Sequence, residues 1–517
     1  MVLRDTPLLL ASVLLVWFCL VFPAASLMLT SPANVHGAHA TLSTSRTPPP
    51  RVSPWRMSPR ALTAARRDGR GAPTGVGGLE ALVGAGKARP TACGPLWASP
   101  ADVEQSPPAQ QKSSPASESQ AKKVLILMSD TGGGHRASAQ ALKAAFERLY
   151  GEKVHTDIVD MWSEYARWPF NTAVEAYRFL GRNPRLWKAS FDFGRFPPTR
   201  GLTDLWVNVR CHDLLRRCMH DHDPDMVVSV HPLCHNLPLR VLKKIGGGER
   251  RVPFATVVTD LGSAHPTWFD RNADMVFVPS DALHRKACKM GLDEKQIRQH
   301  GLPTRPEFWS EASEAKEALR ERLGLDPQLR TALVVGGGDG VGKLKSIAKK
   351  MARRLVKDGV PAQVVVVCGR NEKTKAKLEA LEWPGQDTGV QVHIKGFIEN
   401  MDEWMAASDL LVTKAGPGTI AEACTRGLPV VLSSYLPGQE KGNVPYVTEG
   451  GFGLYRRRPR AIAAAVSELL RDPERLQHMG EAAKQLGRPH ATLDIARDLL
   501  SELLGPAGPQ PLPAAAA

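Results

Sequence analysis

Residues 124–135 read VLILMSDTGGGH, an apolar run followed by a glycine cluster and a histidine. The unbroken apolar run Val124–Met128 is typical of a strand that is buried on both faces of a parallel sheet. An alanine-rich stretch from Ala137 to Tyr150 follows and favours a helix. A strand, a glycine loop and a helix in this order open a βαβ unit, so the sequence predicts a doubly wound α/β domain.

The same pattern restarts in the second half of the chain. Thr331–Val335 is again apolar, glycines follow from Gly336, and Lys343–Lys357 favours a helix. The other predicted strands are 154–159, 226–230, 254–259, 275–279, 363–368, 392–395, 410–413 and 429–433. We therefore predict two doubly wound domains facing a cleft, residues 121–315 and 316–505, joined through the charged helical stretch 310–325.

Both ends of the chain lack the composition of a folded core. Residues 31–100 are rich in Arg and Ser and poor in acids, like an organelle transit peptide, and we predict that 1–120 is a targeting and disordered segment. The apolar stretch Leu8–Leu29 fits a cleaved signal, a transit element or a membrane anchor. The Pro/Ala-rich tail 506–517 is predicted to be disordered.

Charge and cysteine content narrow the class of protein. The formal net charge of +15 favours an anionic partner, which leaves nucleic acid, an acidic membrane surface and a phosphorylated substrate open. The eight cysteines show no framework spacing, so they are predicted to be reduced thiols.

The second glycine cluster, residues 336–343, reads GGGDGVGK and nearly fits an ATPase phosphate loop. Leu344 stands where that loop needs a Ser or Thr hydroxyl for magnesium, so the ATPase interpretation is disfavoured. We predict instead that Gly337, Gly338 and Asp339 let the backbone approach a ligand; a turn that serves only the fold is the alternative.

The most specific motif is residues 414–423, KAGPGTIAEA, between a strand and a helix. The free N–H groups and the dipole at a helix start bind diphosphate, and Glu422 one turn later suits ribose hydroxyls. A polar loop that suits sugar hydroxyls follows the next strand. The predicted nucleotide-sugar site comprises Pro417, Gly418, Thr419, Ile420, Ala421, Glu422, Gln439, Glu440, Lys441, Gly442 and Asn443.

This ordered set resembles glycosyltransferase family 28, of GT-B type, and above all the plant monogalactosyldiacylglycerol synthases. Also similar are SDTGGGHRASA at 129–139, WPFN at 168–171, HPTWF at 265–269 and GLP at 301–303, so the likeness spans roughly 122–500. Thr304, Asp339 and Lys441 depart from the pattern expected of the family, and Asp339 stands where Glu is expected.

The resemblance implies transfer of galactose from UDP-galactose to diacylglycerol with inversion, without a metal or other cofactor. It also implies that Arg305, with the helix start, stabilises the leaving diphosphate, and that the protein is peripheral at the chloroplast envelope. Alternatives are a lipid glycosyltransferase with another donor sugar, a nucleotide-sugar epimerase, and a non-catalytic anionic-lipid-binding protein. A homodimer is possible.

His135 is the predicted general base, because an imidazole titrates near neutral pH and the loop after the first strand is where such sheets bind ligands. A helix-capping or phosphate-binding histidine is the alternative, and Asp130 or Asp260 are further candidates for orienting it or acting as base. Two metal interpretations are disfavoured: the D-x-D sequence at Asp221–Asp223, which precedes a strand, and the Cys/His-rich stretch 211–235, which has no Cys-x-x-Cys pair.

Residues 161–206 interleave aromatic and basic side chains. This pattern favours a membrane interface over a domain core, and a core over single-stranded nucleic acid, because no nucleic-acid motif accompanies it. We predict that Pro169 and Trp268 bind anionic lipid, and that phosphatidic acid or phosphatidylglycerol raises activity.

Overall fold

The computed structural model describes residues 121–504, apart from residues 313, 339, 341 and 385. The predicted targeting segment 1–120, its apolar stretch Leu8–Leu29, the tail 506–517 and Asp339 therefore lie outside the described residues. Within that range the chain forms two six-stranded sheets, and every strand pairing in both is parallel.

The first sheet has the strand order β2-β1-β3-β4-β5-β6. Its strands are β1 (Lys122–Met128), β2 (Val154–Asp160), β3 (Met226–Ser229), β4 (Phe254–Val257), β5 (Met275–Val278) and β6 (Ile297–Gln299). Its helices are α1 (Gly133–Tyr150), α2 (Met161–Tyr165), α3 (Ala173–Arg182), α4 (Pro184–Arg195), α5 (Pro197–His222), α6 (Asn236–Ile245) and α7 (Asp281–Lys289).

The second sheet has the strand order β12-β11-β10-β7-β8-β9. Its strands are β7 (Arg330–Val335), β8 (Ala362–Val367), β9 (Val390–Lys395), β10 (Leu410–Lys414), β11 (Val430–Ser434) and β12 (Gly453–Tyr455). The helices are α8 (Lys316–Arg322), α9 (Leu344–Asp358), α10 (Glu372–Glu379), α11 (Met401–Ala406), α12 (Pro417–Thr425), α13 (Asn443–Glu449), α14 (Pro459–Arg471), α15 (Pro473–Leu486) and α16 (Ala491–Leu504).

Strand β1 shows why the apolar runs form these sheets. Its pleat sends Leu125 and Leu127 into one hydrophobic cluster, and Val124, Ile126 and Met128 into the cluster on the opposite face. Both faces are covered by helices, so a continuous apolar run is what the strand requires. The predicted strands are all present, and only β6 and β12 were missed, because three residues are too few for a periodic signal.

Each sheet has one point where the strand order changes direction, and ligands bind there in doubly wound folds. In the first sheet this point lies between β1 and β3, and in the second between β7 and β10. Both predicted glycine loops follow strands that border such a point. The strand order therefore indicates the same two glycine loops that the sequence predicted to bind ligands.

The last helix departs from the expected domain boundary. Helix α16 packs with α1 and the first sheet, where Ile495, Leu499 and Leu500 are buried beside Phe146. The chain thus returns to the first domain after completing the second, whereas the sequence assigned all of 316–505 to the second domain. The amphipathic pattern of α16 predicts a helix but does not indicate which sheet it covers.

Candidate active site

The first half of the site is the loop between β1 and α1. Helix α1 begins at Gly133, so His135 lies in its first turn, and its side chain is buried. His135 Nδ1 lies 2.9 Å from the carbonyl oxygen of Val230, just after β3, and 2.9 Å from Thr259 Oγ1. Because a carbonyl oxygen only accepts, Nδ1 carries the ring proton and Nε2 keeps its lone pair.

Burial lowers the pKa of His135 to about 4, while the Val230 carbonyl and the Asp130 charge act in the opposite direction. The imidazole is therefore neutral at neutral pH. A neutral ring with an unprotonated Nε2 is the state from which a histidine accepts a proton from a hydroxyl.

Two further histidines lie near His135: His231 packs against it, and His235 packs against Trp268. In the sequence they stood out only as candidate zinc ligands. His231 packs edge-on against His135, with ring centroids 4.5 Å apart, and its Nε2 lies 2.8 Å from Thr131 Oγ1. His235 is also buried, and burial lowers its pKa to about 4. Their spacing along a strand–turn–helix segment, HPLCH at 231–235, was the available signal.

Trp268 occupies a different place from the one predicted. Its side chain is 0% exposed, its ring centroid is 6.2 Å from that of His135, and Nε1 donates to Asp260 Oδ2 at 2.7 Å. The side chain is therefore enclosed and not at the surface where the sequence placed it, and its role in lipid binding stays a prediction. Pro169 is buried as well, whereas Trp168 beside it is 43% exposed.

Asp260 lies at the junction of the two domains. Burial raises the pKa of its carboxyl to about 7, and hydrogen bonds from Trp268 and Gln439 act against the increase. The Gln439 amide Nε2 belongs to the second domain and lies 3.5 Å from Asp260 Oδ1. Asp260 is thus a carboxyl group that titrates near neutral pH beside the cleft.

The second half of the site is formed by the glycine turn after β7 and the start of α12 after β10. A Cβ atom added at Gly338 or Gly418 would meet nothing within 4 Å, and one at Gly337 would lie 3.7 Å from Lys414 Cε. Gly337 adopts φ +73°, which favours glycine. Pro417 occupies the first turn of α12, so the next N–H groups have no partner within the helix and suit an anion.

Lys414 is the first residue of the motif 414–423, but it was not among the predicted site residues. It lies between the two glycine segments and pairs with Glu440, with Nζ 2.5 Å from Oε1. Glu440 is buried and also accepts from the backbone N–H of Leu436 through Oε2. Both oxygens of Glu440 therefore hold the loop, which leaves little of the predicted capacity to bind sugar hydroxyls.

Arg305 and Glu422, predicted for diphosphate and ribose respectively, lie side by side. Arg305 Nε donates to Glu422 Oε1 at 2.9 Å, and the guanidinium lies over the ring of Phe308. Burial acts to lower the pKa of Arg305, but the charge and hydrogen bond of Glu422, together with the charges of Glu307 and Asp402, raise it. The pair fixes the connection between the domains against α12.

The remaining residues of the predicted sugar loop reach across the cleft. Asn443 Oδ1 accepts from the Gly262 N–H at 2.7 Å, and its amide donates to the carbonyl of Ala415. Ser263 Oγ donates to the Gln439 carbonyl at 2.8 Å. The loops after β4 and β11 are thus hydrogen-bonded to each other. Of the predicted loop residues, Lys441 is the exposed one.

Neither disfavoured metal interpretation gains support from the described residues. Asp221 and His222 end helix α5, and Asp223 follows as its left-handed cap. Over the part of the chain that the structure describes, one group has ligand atoms close enough for a metal ion: His284, Cys288 and Glu294, at the surface.

These features define a class: two doubly wound domains whose ligand-binding edges meet at a cleft, as in GT-B nucleotide-sugar glycosyltransferases. The family described as monogalactosyldiacylglycerol (MGDG) synthase matches residues 135–304, and the glycosyltransferase family 28 C-terminal domain matches residues 331–494. The chain belongs to the monogalactosyldiacylglycerol synthase family, which confirms the resemblance noted in the sequence.

Individual relatives agree with this assignment. Monogalactosyldiacylglycerol synthase 2, chloroplastic, of Arabidopsis thaliana is 40% identical over 400 residues, covering 74% of this chain and 82% of that protein. Monogalactosyldiacylglycerol synthase, chloroplastic, of Spinacia oleracea is 42% identical over 383 residues, covering 73% and 72%. A probable monogalactosyldiacylglycerol synthase, chloroplastic, of Glycine max is 41% identical over 384 residues, covering 73% and 71%.

Proposed function

We propose that this protein transfers galactose from UDP-galactose to the free hydroxyl of 1,2-diacylglycerol, with inversion, forming monogalactosyldiacylglycerol and UDP. The observation that carries the proposal is the 40% identity over 400 residues to a protein named for this synthesis. The chloroplastic names of the relatives support action in the chloroplast, and we place the enzyme peripherally at the envelope.

In the proposed reaction the acceptor hydroxyl attacks the anomeric carbon of galactose as the bond from that carbon to the diphosphate oxygen breaks. His135 Nε2 takes the hydroxyl proton, since Nδ1 is committed to the Val230 carbonyl. The hydrogen bond at Nδ1 also stabilises the imidazolium that forms. His231 and Trp268 pack against His135 and hold the ring in this orientation.

On the donor side, negative charge develops on the leaving UDP. The N–H groups of Gly418 and Thr419, at the start of α12, face this charge in the proposal, and Arg305 adds a cation beside them. Glu422 accepts from the ribose hydroxyls while holding Arg305. In this scheme the backbone dipoles and a side-chain cation stabilise the charge on the leaving UDP, and no metal or cofactor takes part.

The proposed lipid-binding surface lies on α4 and α5. Leu202, Leu205 and Val209 follow one face of α5 at helical spacing and are 54%, 56% and 72% exposed. Exposed apolar side chains nearby are Trp168, Leu186 and Phe196, and exposed cations nearby are Arg185, Lys188, Arg195 and Arg210. Apolar residues with flanking cations suit an anionic bilayer surface, from which the diacylglycerol acceptor enters the site.

No helix among the described residues is long and apolar enough to cross a membrane. We propose that phosphatidic acid or phosphatidylglycerol raises activity by increasing the fraction of enzyme docked on this surface. The homodimer stays a prediction.

Product analysis tests the activity. The purified protein is incubated with diacylglycerol vesicles and labelled UDP-galactose or UDP-glucose, and the lipids are separated by thin-layer chromatography. A β-linked galactolipid made preferentially from UDP-galactose is expected. A glucolipid would favour the related transferase, interconverted nucleotide sugars without a lipid product would favour an epimerase, and lipid binding without turnover would favour the non-catalytic alternative.

A liposome assay tests the docking surface. Val209→Asp and Leu205→Asp should reduce co-sedimentation with phosphatidylglycerol vesicles several-fold, because each puts a charge in the apolar stripe. Val356→Asp is the matched control, since Val356 is an exposed valine on α9 in the second domain. Equal sedimentation of all three variants would contradict this surface.

A further inference from the structure

Helix α4 contacts the donor-side loop of the other domain with one face. Trp187 Nε1 donates to the carbonyl oxygen of Pro437 at 3.0 Å. The ring of Phe191 lies against Gly438, where a Cβ atom would be only 2.7 Å from Phe191 Cδ1. Gly438 also adopts φ +91°, so both its conformation and this contact require glycine. The loop after β11 is therefore held from outside its own domain.

The same two aromatic residues reach the catalytic half of the site. The Trp187 ring packs edge-on against Tyr177, with centroids 5.1 Å apart. A Cβ atom at Gly132, in the loop that carries His135, would lie 3.3 Å from the Tyr177 hydroxyl oxygen. A continuous chain of contacts thus runs from Gly132 through Tyr177 and Trp187 to Pro437.

Phe191 makes a second connection of this kind. Its ring packs edge-on against His265, with centroids 4.9 Å apart, in the segment that also supplies Trp268. A Cβ atom at Gly194, one turn along α4, would lie 3.4 Å from His265 Nε2. Helix α4 therefore contacts the site loops of the first domain and the donor-side loop of the second domain.

The sides of α4 that point away from these contacts are exposed. Leu186 is 42% exposed, and Arg185 and Lys188 are exposed as well, directly before and after Trp187. Successive residues on a helix differ by about 100° in direction, so a group that docks through these side chains contacts the faces of α4 on either side of Trp187.

We propose that Trp187 and Phe191 are positioning residues for the donor, which hold the 436–443 loop in its galactose-binding conformation when α4 is docked on lipid. This inference rests on the proposed function for the identity of donor and surface. The loop's other attachments are the pairs Glu440–Lys414 and Asn443–Gly262, the hydrogen bond from Ser263 to the Gln439 carbonyl, and the one from the Leu436 N–H to Glu440. The segment Pro437–Gly438 is anchored by α4, so its position follows that of the helix.

The test uses the full-length protein and the variants Trp187→Phe and Phe191→Leu. Trp187→Phe keeps a smaller aromatic ring beside Tyr177 and removes the indole N–H that reaches Pro437. The matched control is Trp383→Phe, because Trp383 Nε1 likewise donates to a backbone carbonyl, that of Leu378, outside the cleft. Kd for UDP-galactose by calorimetry, KM, kcat and the thermal midpoint are measured for each variant.

Trp187→Phe and Phe191→Leu should raise Kd and KM for UDP-galactose about three- to ten-fold, the range expected from one lost contact, with kcat changed less than about two-fold. The activity ratio with and without phosphatidylglycerol should fall in the same variants. The control should leave Kd, KM and the ratio as in the wild type.

Unchanged donor Kd and KM in the α4 variants, or a loss confined to the thermal midpoint, would overturn the inference and leave α4 as ordinary packing. Failure of the wild type to make galactolipid would refute the proposed function separately. Donor affinity measured by calorimetry does not depend on turnover, so it decides the role of Trp187 in either case.

Discussion

The two halves of the candidate site are built by opposite means. The first-domain half is a buried cluster of histidines, of which His135 is locked by a hydrogen bond to its own domain's backbone. The second-domain half is built from glycine turns, a helix start and cations that are each paired with a carboxylate. A dry neutral pocket suits proton transfer, and fixed dipoles suit an anion. Chemistry and affinity should therefore respond to different mutations.

The largest expected effect comes from removing the proposed base. His135→Ala should lower kcat by about 10²–10⁴-fold while leaving the Kd for UDP near the wild-type value. Steady-state kinetics and calorimetry with UDP measure the two quantities. A decrease in kcat of less than about ten-fold would show that His135 is not the base and would direct attention to Asp260 and Asp130.

A mutation on the donor side should have an intermediate effect, and it should weaken donor binding more than it lowers kcat. Glu422→Ala removes the proposed ribose acceptor and leaves Arg305 without its partner, so UDP binding should weaken about ten- to hundred-fold. Turnover at saturating donor should fall much less. Glu468→Ala, which breaks an exposed pair with Arg475, is the control and should change neither quantity. If Glu422→Ala lowered kcat as much as His135→Ala does, the proposed division of the site into a half for chemistry and a half for donor affinity would be wrong.

The smallest effect concerns Asp260, which belongs to the first half but contacts the second. Its pKa is raised from 3.8 to about 7, so between these values the folded state binds more protons than the unfolded state. Stability contributed by this group therefore falls as pH rises towards 7, by about 1.4 kcal/mol for each unit of pKa increase.

Asp260→Asn should remove that dependence. The thermal midpoint of the variant relative to the wild type should rise by a few degrees between pH 5 and pH 8. Burial lowers the pKa values of His135 and His235, so their contributions to stability rise with pH instead of falling. Both histidines are present in the wild type and in the variant, so these contributions cancel when the two thermal midpoints are compared. A constant difference across this pH range would argue against a raised pKa at Asp260.

Local sequence patterns predicted the secondary-structure elements and the loops that line the candidate site. Apolar runs such as Val124–Met128 predicted the strands, because burial on both faces leaves an unbroken signal. The glycine turns and the start of α12 were located by their position after strands. The sequence did not predict that Arg305 pairs with Glu422 or that Lys414 pairs with Glu440. These partners lie 117 and 26 residues apart, so no local pattern in the sequence connects them.

Exposure was the property that sequence composition predicted least well. Trp268 carries an amphipathic ring, which suits a membrane interface and an enclosed site equally, and only the tertiary structure shows it in contact with Asp260. Leu205 and Val209 have the spacing of a buried face, yet they are exposed. Whether an apolar face is covered depends on elements elsewhere in the chain, which a local window does not contain.

The return of α16 to the first domain has a mechanical meaning. The chain crosses between the domains twice, near residue 304 and before residue 491, and the crossings are joined because Thr304 and Thr492 exchange hydrogen bonds. His300 and Asp498 add a 2.7 Å pair beside them. We expect these two adjacent crossings to act as a hinge, so that any opening of the cleft is a rotation about one axis through them.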